Sequence, residues 1–308
     1  MFGGCEMPNF VAAWCETEGS VDDMTLMMFG VDPDRLIYWK QEANAEQALE
    51  VLRVLVTKQE VDLVVINSVA GLAPTMEVEK DLKDPNVALT ARLMSRLMRV
   101  ITGPANKNDM TVIFINQLRS TIAKNQYAIQ ETTSGGRALG YYASQRVGLR
   151  RASIDEKTSP ITKEEGVKIK CRVAKNRLAK KNPYTTCEYH ALYGLGIQSI
   201  FELPDMLVEE GIIRRAGSWH YWDDENGEPR IVNETVCKFK SRGAFLEALK
   251  TNEVLRETFE QLLDGLIETG NIKVNTVSAE EASELERENE ELESSFEDVL
   301  KLIGDEDC

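Results

Sequence analysis

The sequence of 308 residues predicts an α/β fold with a mostly parallel sheet, an antiparallel extension, a small α+β C-terminal domain and an acidic tail. Three observations support this prediction. Strand-like apolar runs alternate with helical patterns over roughly the first 120 residues. Several strand-like segments then follow one another without helices between them, which is typical of an antiparallel sheet. From about residue 200, helical stretches flank a segment that is rich in tryptophan and turns.

The first half of the chain carries the alternating pattern. Three β-branched and aromatic runs bounded by polar residues predict buried strands: 11–15, 61–67 and 111–118. Residues 45–58 have apolar side chains at helical spacing, which predicts an amphipathic helix. Asp84 followed by Pro85 is a typical N-cap and first-turn pair, and it predicts a second helix that runs to about Ile101.

The second half has a different organisation. The predicted strands of the antiparallel extension are 145–151, 167–173 and 186–193. Predicted helices at 202–211 and 243–269 flank a turn-rich insert, whose residues Trp219, Tyr221 and Trp222 we expect in the core of the small domain. The predicted domains are a core over 1–199, a small α+β domain over 200–275 and an acidic, possibly helical tail over 276–308.

Charge is unevenly distributed along the chain. The formal net charge is −15, but residues 279–308 hold 13 acidic and 2 basic side chains, a net of −11. Residues 137–181 hold 13 Lys/Arg and 4 Asp/Glu, a net of +9. A basic segment beside an acidic tail indicates a polyanionic partner better than the overall charge does.

The tail also has a weak apolar pattern. Its heptad-like positions are Leu285, Asn289, Leu292, Phe296, Val299 and Ile303. A short coiled coil, a helix that docks on a partner and a solvated acidic tail all fit this pattern.

Several classes of protein are not indicated. No run of 18 apolar residues is present, so we predict no membrane span, and residues 1–6 do not read as a signal peptide. Six scattered cysteines without a Cys-x-x-Cys pair, with only two histidines, make a metal site improbable and favour a reducing cytoplasm.

The most informative motifs follow the predicted strand at 111–118. Asn116, Gln117 and Arg119 lie at its carboxyl end, where parallel sheets present groups to ligands. Residues 131–139 read Glu-Thr-Thr-Ser-Gly-Gly-Arg-Ala-Leu, and paired glycines let a backbone approach a phosphate chain closely.

Together with three other segments, these motifs resemble the RecA recombinases over about residues 10–270. The other segments are Glu-x-Glu-Gly-Ser-Val-Asp at 16–22, Val-Val-Ile-Asn-Ser-Val-Ala-Gly-Leu at 64–72 and Val-Ala-Lys-Asn-Arg at 173–177. The resemblance implies a RecA-like P-loop ATPase core that is incomplete at its N-terminus. It also implies ATP-dependent binding of single-stranded DNA, self-association into a filament, strand exchange with double-stranded DNA, and a role in homologous recombination and DNA repair.

The resemblance assigns roles at a nucleotide site. Glu18 would polarise the attacking water, and Gln117 would sense the γ-phosphate of ATP and pass its state to the following loop. Asp22 corresponds to an adenine-contacting position. Lys175 and Arg177 resemble a basic pair that reaches the nucleotide of the neighbouring subunit. For each of these residues an ordinary solvated or structural role is the alternative.

The resemblance also implies a DNA-binding surface made of phosphate-contacting side chains and backbone N–H groups. Such contacts bind DNA without reading its bases, so binding is independent of sequence and sensitive to salt. The residues that match are Arg92, Arg99, Arg119, Ser134, Gly135, Gly136 and Arg137.

Two departures from the family pattern matter. No Gly-x-x-x-x-Gly-Lys-[Ser/Thr] phosphate loop occurs in the sequence, and Asn67 stands where a strand-end aspartate would orient the Mg²⁺ shell. We therefore expect ATP and Mg²⁺ to bind only when a missing N-terminal part is restored, for example by a fragment in trans, and no efficient ATP hydrolysis by this polypeptide alone.

Three explanations of these departures compete. They are a fragment of a split gene, which we favour, a start codon placed too far downstream, and a degenerate paralogue. The rival functions are a hexameric helicase-like motor and a non-catalytic protein that binds single-stranded DNA or modulates filaments.

Overall fold

The computed structural model describes seven segments of the chain: 9–40, 44–79, 89–120, 131–155, 159–179, 184–270 and 279–304. The chain divides into two compact units. The described residues up to 143 and from 284 onward form the first unit, and the described residues between 144 and 283 form the second. The domain boundary predicted at 199/200 falls inside the second unit.

A parallel four-stranded sheet is the centre of the first unit. Its strands are β1 (Ala12–Glu16), β2 (Leu36–Lys40), β3 (Leu63–Asn67) and β4 (Thr111–Phe114). They lie in the order β2-β1-β3-β4, and every pair in this sheet is parallel. The chain passes from β1 out to β2 and then crosses to β3 on the other side of β1. The direction of winding therefore reverses between β1 and β3, which is where open α/β sheets bind ligands.

Helices alternate with these strands along the chain and follow them. They are α1 (Asp23–Met28), α2 (Ala45–Lys58), α3 (Thr75–Glu79), α4 (Leu89–Lys107) and α5 (Ala138–Tyr142). The prediction for 45–58 is confirmed, and Asn44 caps this helix by accepting the N–H of Gln47 at 3.0 Å. Apolar side chains of α2 and α4, such as Leu52 and Met94, are fully buried in one cluster with residues of β1 and β3.

Helix α4 extends beyond its predicted end. It continues past Ile101 and through Pro104 to Lys107, although a proline removes one backbone hydrogen bond from a helix. Ile101 and Ala105 both pack in the core of the first unit, and this burial favours continuation of the helix. The predicted N-cap and first-turn pair at 84–85 lies outside the described residues.

The prediction of one strand over 111–118 is wrong beyond Phe114. The parallel pairing of β4 with β3 ends there, with Ile66 and Phe114 as the last pair in register. Residues Leu118–Ser120 instead form β5, which pairs antiparallel with β6 (Glu131–Thr133). Gln117 therefore lies in the connection between β4 and β5.

The second unit begins with the predicted antiparallel extension. Its strands are β7 (Gln145–Ala152), β8 (Gly166–Asn176), β9 (Thr186–Leu192) and β10 (Gly196–Ile197), each paired with the next along the chain. A small α+β region follows. It contains β11 (Arg214–Ala216), β12 (Trp219–Tyr221), β13 (Ile231–Val232), β14 (Thr235–Val236) and β15 (Lys238–Phe239), with helices α6 (Leu203–Glu209), α7 (Arg242–Thr251) and α8 (Glu253–Glu268).

The helical stretch predicted over 243–269 is confirmed, and it consists of two helices, α7 and α8, that are separated at Asn252. The side-chain oxygen of Asn252 accepts the N–H of Leu255 at 3.0 Å, and its amide donates to Oγ1 of Thr235 at 2.8 Å. An asparagine that bonds to nearby backbone in this way starts a new helix rather than continuing the old one.

The expectation that all three aromatic residues of the insert belong to the core is wrong for two of them. Trp222 packs on the core, with its ring centroid 4.7 Å from that of Phe259. Trp219 and Tyr221 flank buried His220 on β12 and stack on each other at 6.2 Å. Successive residues of a strand point to opposite faces, so these two rings lie on the face away from His220.

The acidic tail contains helix α9 (Ala279–Gly304). Leu285 is 1% exposed, whereas its neighbours Glu284 and Glu286 are exposed. The side chains of the later heptad-like positions (292, 296, 299 and 303) lie outside the described part. In the segments that the structure describes, no helix combines the length and the apolar composition that crossing a bilayer requires.

Candidate functional site

The candidate site lies at the carboxyl ends of β1 and β3. Glu16, the last residue of β1, is 2% exposed, and its register partner on β3 is Asn67. One carboxylate oxygen of Glu16 accepts Nε1 of Trp14 at 3.1 Å and Nδ2 of Asn67 at 2.9 Å. The other accepts the backbone N–H groups of Glu18 at 3.0 Å and Ser20 at 3.3 Å. Four N–H donors thus satisfy this buried carboxylate.

These hydrogen-bond donors determine whether the carboxyl group of Glu16 is ionised. Burial by itself raises the pKa of this carboxyl, but the hydrogen bonds from Trp14, Asn67 and the two backbone N–H groups outweigh it and lower the pKa. Glu16 is therefore ionised at neutral pH. Sequence reasoning did not single out Glu16, because its burial depends on pairing with Asn67, which lies 51 positions later in the chain.

The lowered pKa of Glu16 predicts a pH dependence of stability. Because the folded-state pKa lies below the unfolded one, the ionised carboxylate stabilises the fold above the unfolded pKa, and this contribution is lost as the pH falls through the folded pKa. We expect the Tm of the chain to fall on acidification below about pH 4.5, and Glu16→Gln to show a shallower fall. Circular dichroism melts from pH 7 to pH 3 measure this, with Glu60→Gln, an exposed position, as the control. Parallel curves for the native chain and Glu16→Gln would refute the assignment.

Glu18 joins three connections that follow β1, β3 and β4. Its Oε1 accepts Nε2 of Gln117 at 2.8 Å and also the hydroxyl of Ser68. Thr17 reinforces this junction, because its hydroxyl accepts the N–H of Ser68 and donates to the carbonyl of Ser68, both at 2.8 Å. Glu18 itself is exposed. The junction therefore presents an oriented carboxylate to solvent at the point where the winding reverses.

The residue beside Gln117 makes a second connection. Nδ2 of Asn116 donates to the carbonyl of Ser134 at 2.7 Å. Two consecutive side chains after β4 thus contact Glu18 on one side and the glycine-bearing segment 134–137 on the other. The structure brings Glu18, Gln117 and Ser134 together as the sequence indicated.

The paired glycines hold that segment close to the first unit's core. Gly135 has φ +82°, and a Cβ added there would lie 2.7 Å from Cγ1 of Val69. Gly136 has φ +74°, and a Cβ there would lie 2.6 Å from Cβ of Ala91 in α4. Larger residues at either position would meet these atoms and would also disfavour the backbone conformation. The glycines therefore serve close packing, whatever the segment binds.

The predicted DNA-binding arginines lie on exposed surface around this segment. Arg92 and Arg99 are exposed on α4, and Arg92 follows Ala91, the residue that Gly136 contacts. Seven residues are about two helical turns, so both arginines are on one side of α4, about 10 Å apart along its axis. Arg119, in β5, and Arg137, directly before α5, are exposed as well.

The remaining predicted residues lie elsewhere. Asp22 caps α1, accepting the N–H of Thr25 at 2.8 Å and its hydroxyl at 2.6 Å, and these bonds hold the pKa of Asp22 below its usual value. Lys175 and Arg177 belong to the second unit. Lys175 is buried near the end of β8, whereas Arg177 is exposed and its N–H donates to the carbonyl of Ser144 at 2.9 Å.

Comparison with known proteins gives a consistent result. The family model for the RecA N-terminal domain matches residues 3–198. Protein RecA of Nostoc punctiforme is 37% identical over 281 residues, covering 91% of this chain and 75% of that protein. Protein RecA of Arthrospira platensis is 39% identical over 240 residues, covering 78% and 63%. Protein RecA of Streptomyces rimosus is 40% identical over 243 residues, covering 75% and 63%.

A solved structure, the RadB recombinase, aligns with a TM-score of 0.42 and 17% identity, covering 62% of this chain and 79% of that one. The curated relatives are longer than the matched part, since this chain spans 63 to 75% of their length. A family-model match over more than half of the chain, together with relatives of this identity, shows that the chain belongs to the RecA family.

Proposed function

We propose that the chain acts in homologous recombination and DNA repair as a RecA-type protein that binds single-stranded DNA, assembles into a filament and pairs the bound strand with duplex DNA. One observation carries this proposal. Asn116 and Gln117 link the carbonyl of Ser134 and the carboxylate of Glu18 through hydrogen bonds of 2.7 and 2.8 Å. The side chains of Gln117 and Asn116 therefore connect Glu18 to segment 134–137, which we propose to bind DNA.

The described residues supply only part of a site for ATP and Mg²⁺. They provide the exposed carboxylate of Glu18 and the amide of Gln117, beside the buried charge of Glu16. Within the described segments, neither carboxylate forms an ion pair with Lys or Arg, and no group of three or more His, Cys, Asp or Glu is arranged to hold a metal ion. Two carboxylates without a cation repel phosphate groups.

We therefore propose that ATP and Mg²⁺ bind only in an assembly in which another segment supplies the phosphate-binding groups. Strand β4 supports this, because it is one of the two edges of the described parallel sheet and in that sheet pairs with β3 alone. An unpaired strand edge accepts a further strand. The other residues that we propose to contact the nucleotide are Asp22, Asn67, Lys175 and Arg177. The proposed location of the protein is the cytoplasm of a bacterium or of a phage-infected host.

The DNA-binding part of the proposal predicts a salt-dependent defect. In Arg92→Ala/Arg99→Ala, two phosphate contacts are lost, so the slope of log K against log salt for single-stranded DNA should decrease in magnitude by about 1.4. Fluorescence anisotropy of a labelled oligothymidylate at several salt concentrations measures this slope. Arg35→Ala removes another exposed arginine of the first unit and serves as the control. An unchanged slope in the double variant would count against the proposed surface.

The nucleotide part predicts a separable defect. In the assembly that contains a phosphate loop, Glu18→Ala should reduce ATP turnover by at least about 100-fold, as expected when a positioned acid–base group is lost. Binding of single-stranded DNA should remain, because Glu18 lies outside segment 134–137. Steady-state phosphate release and anisotropy measure the two properties, with Glu60→Ala as the exposed control. Loss of both properties would mean that Glu18 is structural.

Asn67 favours a second candidate function, a non-catalytic protein that binds single-stranded DNA or modulates a filament. The amide of Asn67 donates to Glu16 and adds no negative charge of its own. Such a protein would bind single-stranded DNA with equal affinity with and without nucleotide. A DNA affinity that rises on addition of ATP would exclude this candidate. Forked-duplex unwinding would instead support the helicase-like alternative.

A further inference from the structure

Strands β8 and β9 bring two cysteines side by side. Cys171 in β8 lies directly opposite Cys187 in β9. Residues directly opposite in an antiparallel pair have Cα atoms about 4.5–5.5 Å apart. A disulfide usually spans about 4.4–6.8 Å between Cα atoms. The backbone therefore already meets the distance that a disulfide bond requires.

Both cysteines are free thiols and both are accessible. Cys187 is exposed and Cys171 is partly exposed, whereas Cys15 and Cys237 are buried. The side chain of Cys187 is a hydrogen-bonding neighbour of the Cys171 thiol. Burial, with a smaller contribution from Cys187, raises the pKa of Cys171 to about 11, so Cys171 is protonated at neutral pH. Because Cys187 is the more exposed residue of the pair, a reagent in solution meets it first.

We propose that Cys171 and Cys187 form a redox-reactive dithiol that small-molecule disulfides convert reversibly into an intramolecular disulfide. The thiolate of Cys187 attacks one sulfur of the reagent, breaks its S–S bond and releases one thiolate. The thiol of Cys171 then loses its proton to solvent, attacks the sulfur of Cys187 and displaces the second reagent thiolate. Two cysteine thiols are oxidised, and one reagent disulfide is reduced to two thiols.

This site is independent of the proposed recombination function, because it needs neither nucleotide nor DNA. A metal site is not the better explanation, since no third His, Cys, Asp or Glu completes a ligand group around the pair in the described segments. The disulfide would tie β8 to β9 only four residues before Lys175, near the end of β8. An exposed cross-strand bond of this kind belongs to the labile class of disulfides rather than the structural one.

The test uses the full native chain and glutathione disulfide. After oxidation, blocking of free thiols and digestion without reductant, we expect a linked peptide pair that contains Cys171 and Cys187 and is lighter by two hydrogen atoms than the reduced pair. Dithiothreitol should reverse the linkage. In Cys171→Ser, the second step is removed, so a stable glutathione adduct should remain on Cys187. In Cys187→Ser, reaction at Cys171 should be at least about 10-fold slower, because little thiolate is present there.

A second probe, phenylarsine oxide, bridges two neighbouring thiols. The native chain should bind one equivalent through this pair, and both serine variants should lose that binding while keeping the native circular dichroism spectrum. Cys15 and Cys237 serve as internal controls, because they should be blocked only in denaturant. The proposal is overturned if Cys187 links to Cys5, Cys308 or another chain instead of Cys171, or if the pair stays reduced.

Discussion

Gly135→Ala should lower the free energy of unfolding by about 3 kcal/mol, from overpacking of about 1–3 kcal/mol and a left-handed backbone penalty of about 1–2 kcal/mol. The new Cβ would lie 2.7 Å from Cγ1 of Val69, which is 1% exposed and has little room to move. Val69 follows Ser68, whose hydroxyl donates to Glu18. Displacement of Val69 should therefore also disturb the junction between Glu18 and Gln117.

Gly30→Ala is a matched control for this variant. Gly30 has φ +81°, almost the same as Gly135, but an added Cβ there meets nothing within 4 Å. It should therefore show only the backbone penalty, about 1–2 kcal/mol. Urea denaturation of both variants separates the backbone penalty from the packing penalty. Equal losses in the two variants would mean that the close approach of Gly135 to Val69 has no energetic importance.

The strands and helices of the first unit could be predicted where one local pattern decides the structure. The apolar runs of β1 and β3 and the helical spacing of α2 need no knowledge of their partners. The end of β4 could not be predicted, because it depends on where the pairing with β3 stops, and β3 lies more than forty residues earlier in the chain. Helix α4 passes Pro104 because core burial on the adjacent turns outweighs the cost of the proline.

The resemblance to the RecA recombinases predicted only part of the candidate site. The RecA-like motifs placed Glu18 and Gln117 in one pocket, and they are hydrogen-bonded across 99 positions of sequence. The burial of Glu16 depends on Trp14 and on Asn67, which lies 51 positions later, so no local pattern reveals it. The pairing of Cys171 with Cys187 depends on the register of a β-hairpin, which cysteine spacing alone does not specify.

Asn67→Asp should lower the free energy of unfolding by about 3 kcal/mol at neutral pH, because it removes a donor from a buried carboxylate and places a second carboxylate beside it. The N–H···O bond that is lost is the 2.9 Å contact from Asn67 to Glu16. The loss should become smaller on acidification, since one of the two carboxyl groups then takes up a proton. Urea denaturation at pH 7 and pH 5 measures both effects.

A double-mutant cycle tests the pairing itself. In Glu16→Gln/Asn67→Asp the amide and the carboxylate exchange strands, so the new Gln donor faces the new Asp acceptor and the cross-strand bond is restored. We expect a favourable coupling of about 2 kcal/mol relative to the sum of the two single variants. Recovery should be incomplete, because Nε1 of Trp14 then faces an N–H group in place of the oxygen that it now contacts at 3.1 Å.

The cycle also decides how Asn67 should be understood. If the coupling is present, this strand pair keeps one buried negative charge, and it matters little for folding which strand carries it. Asn67 would then be a partner that fits the ionised Glu16 rather than a sign of a decayed site. If the two single effects simply add, Glu16 and Asn67 contribute to stability independently. The amide of Asn67 then only removes the negative charge that an aspartate would carry at the end of β3. This result would favour the non-catalytic candidate.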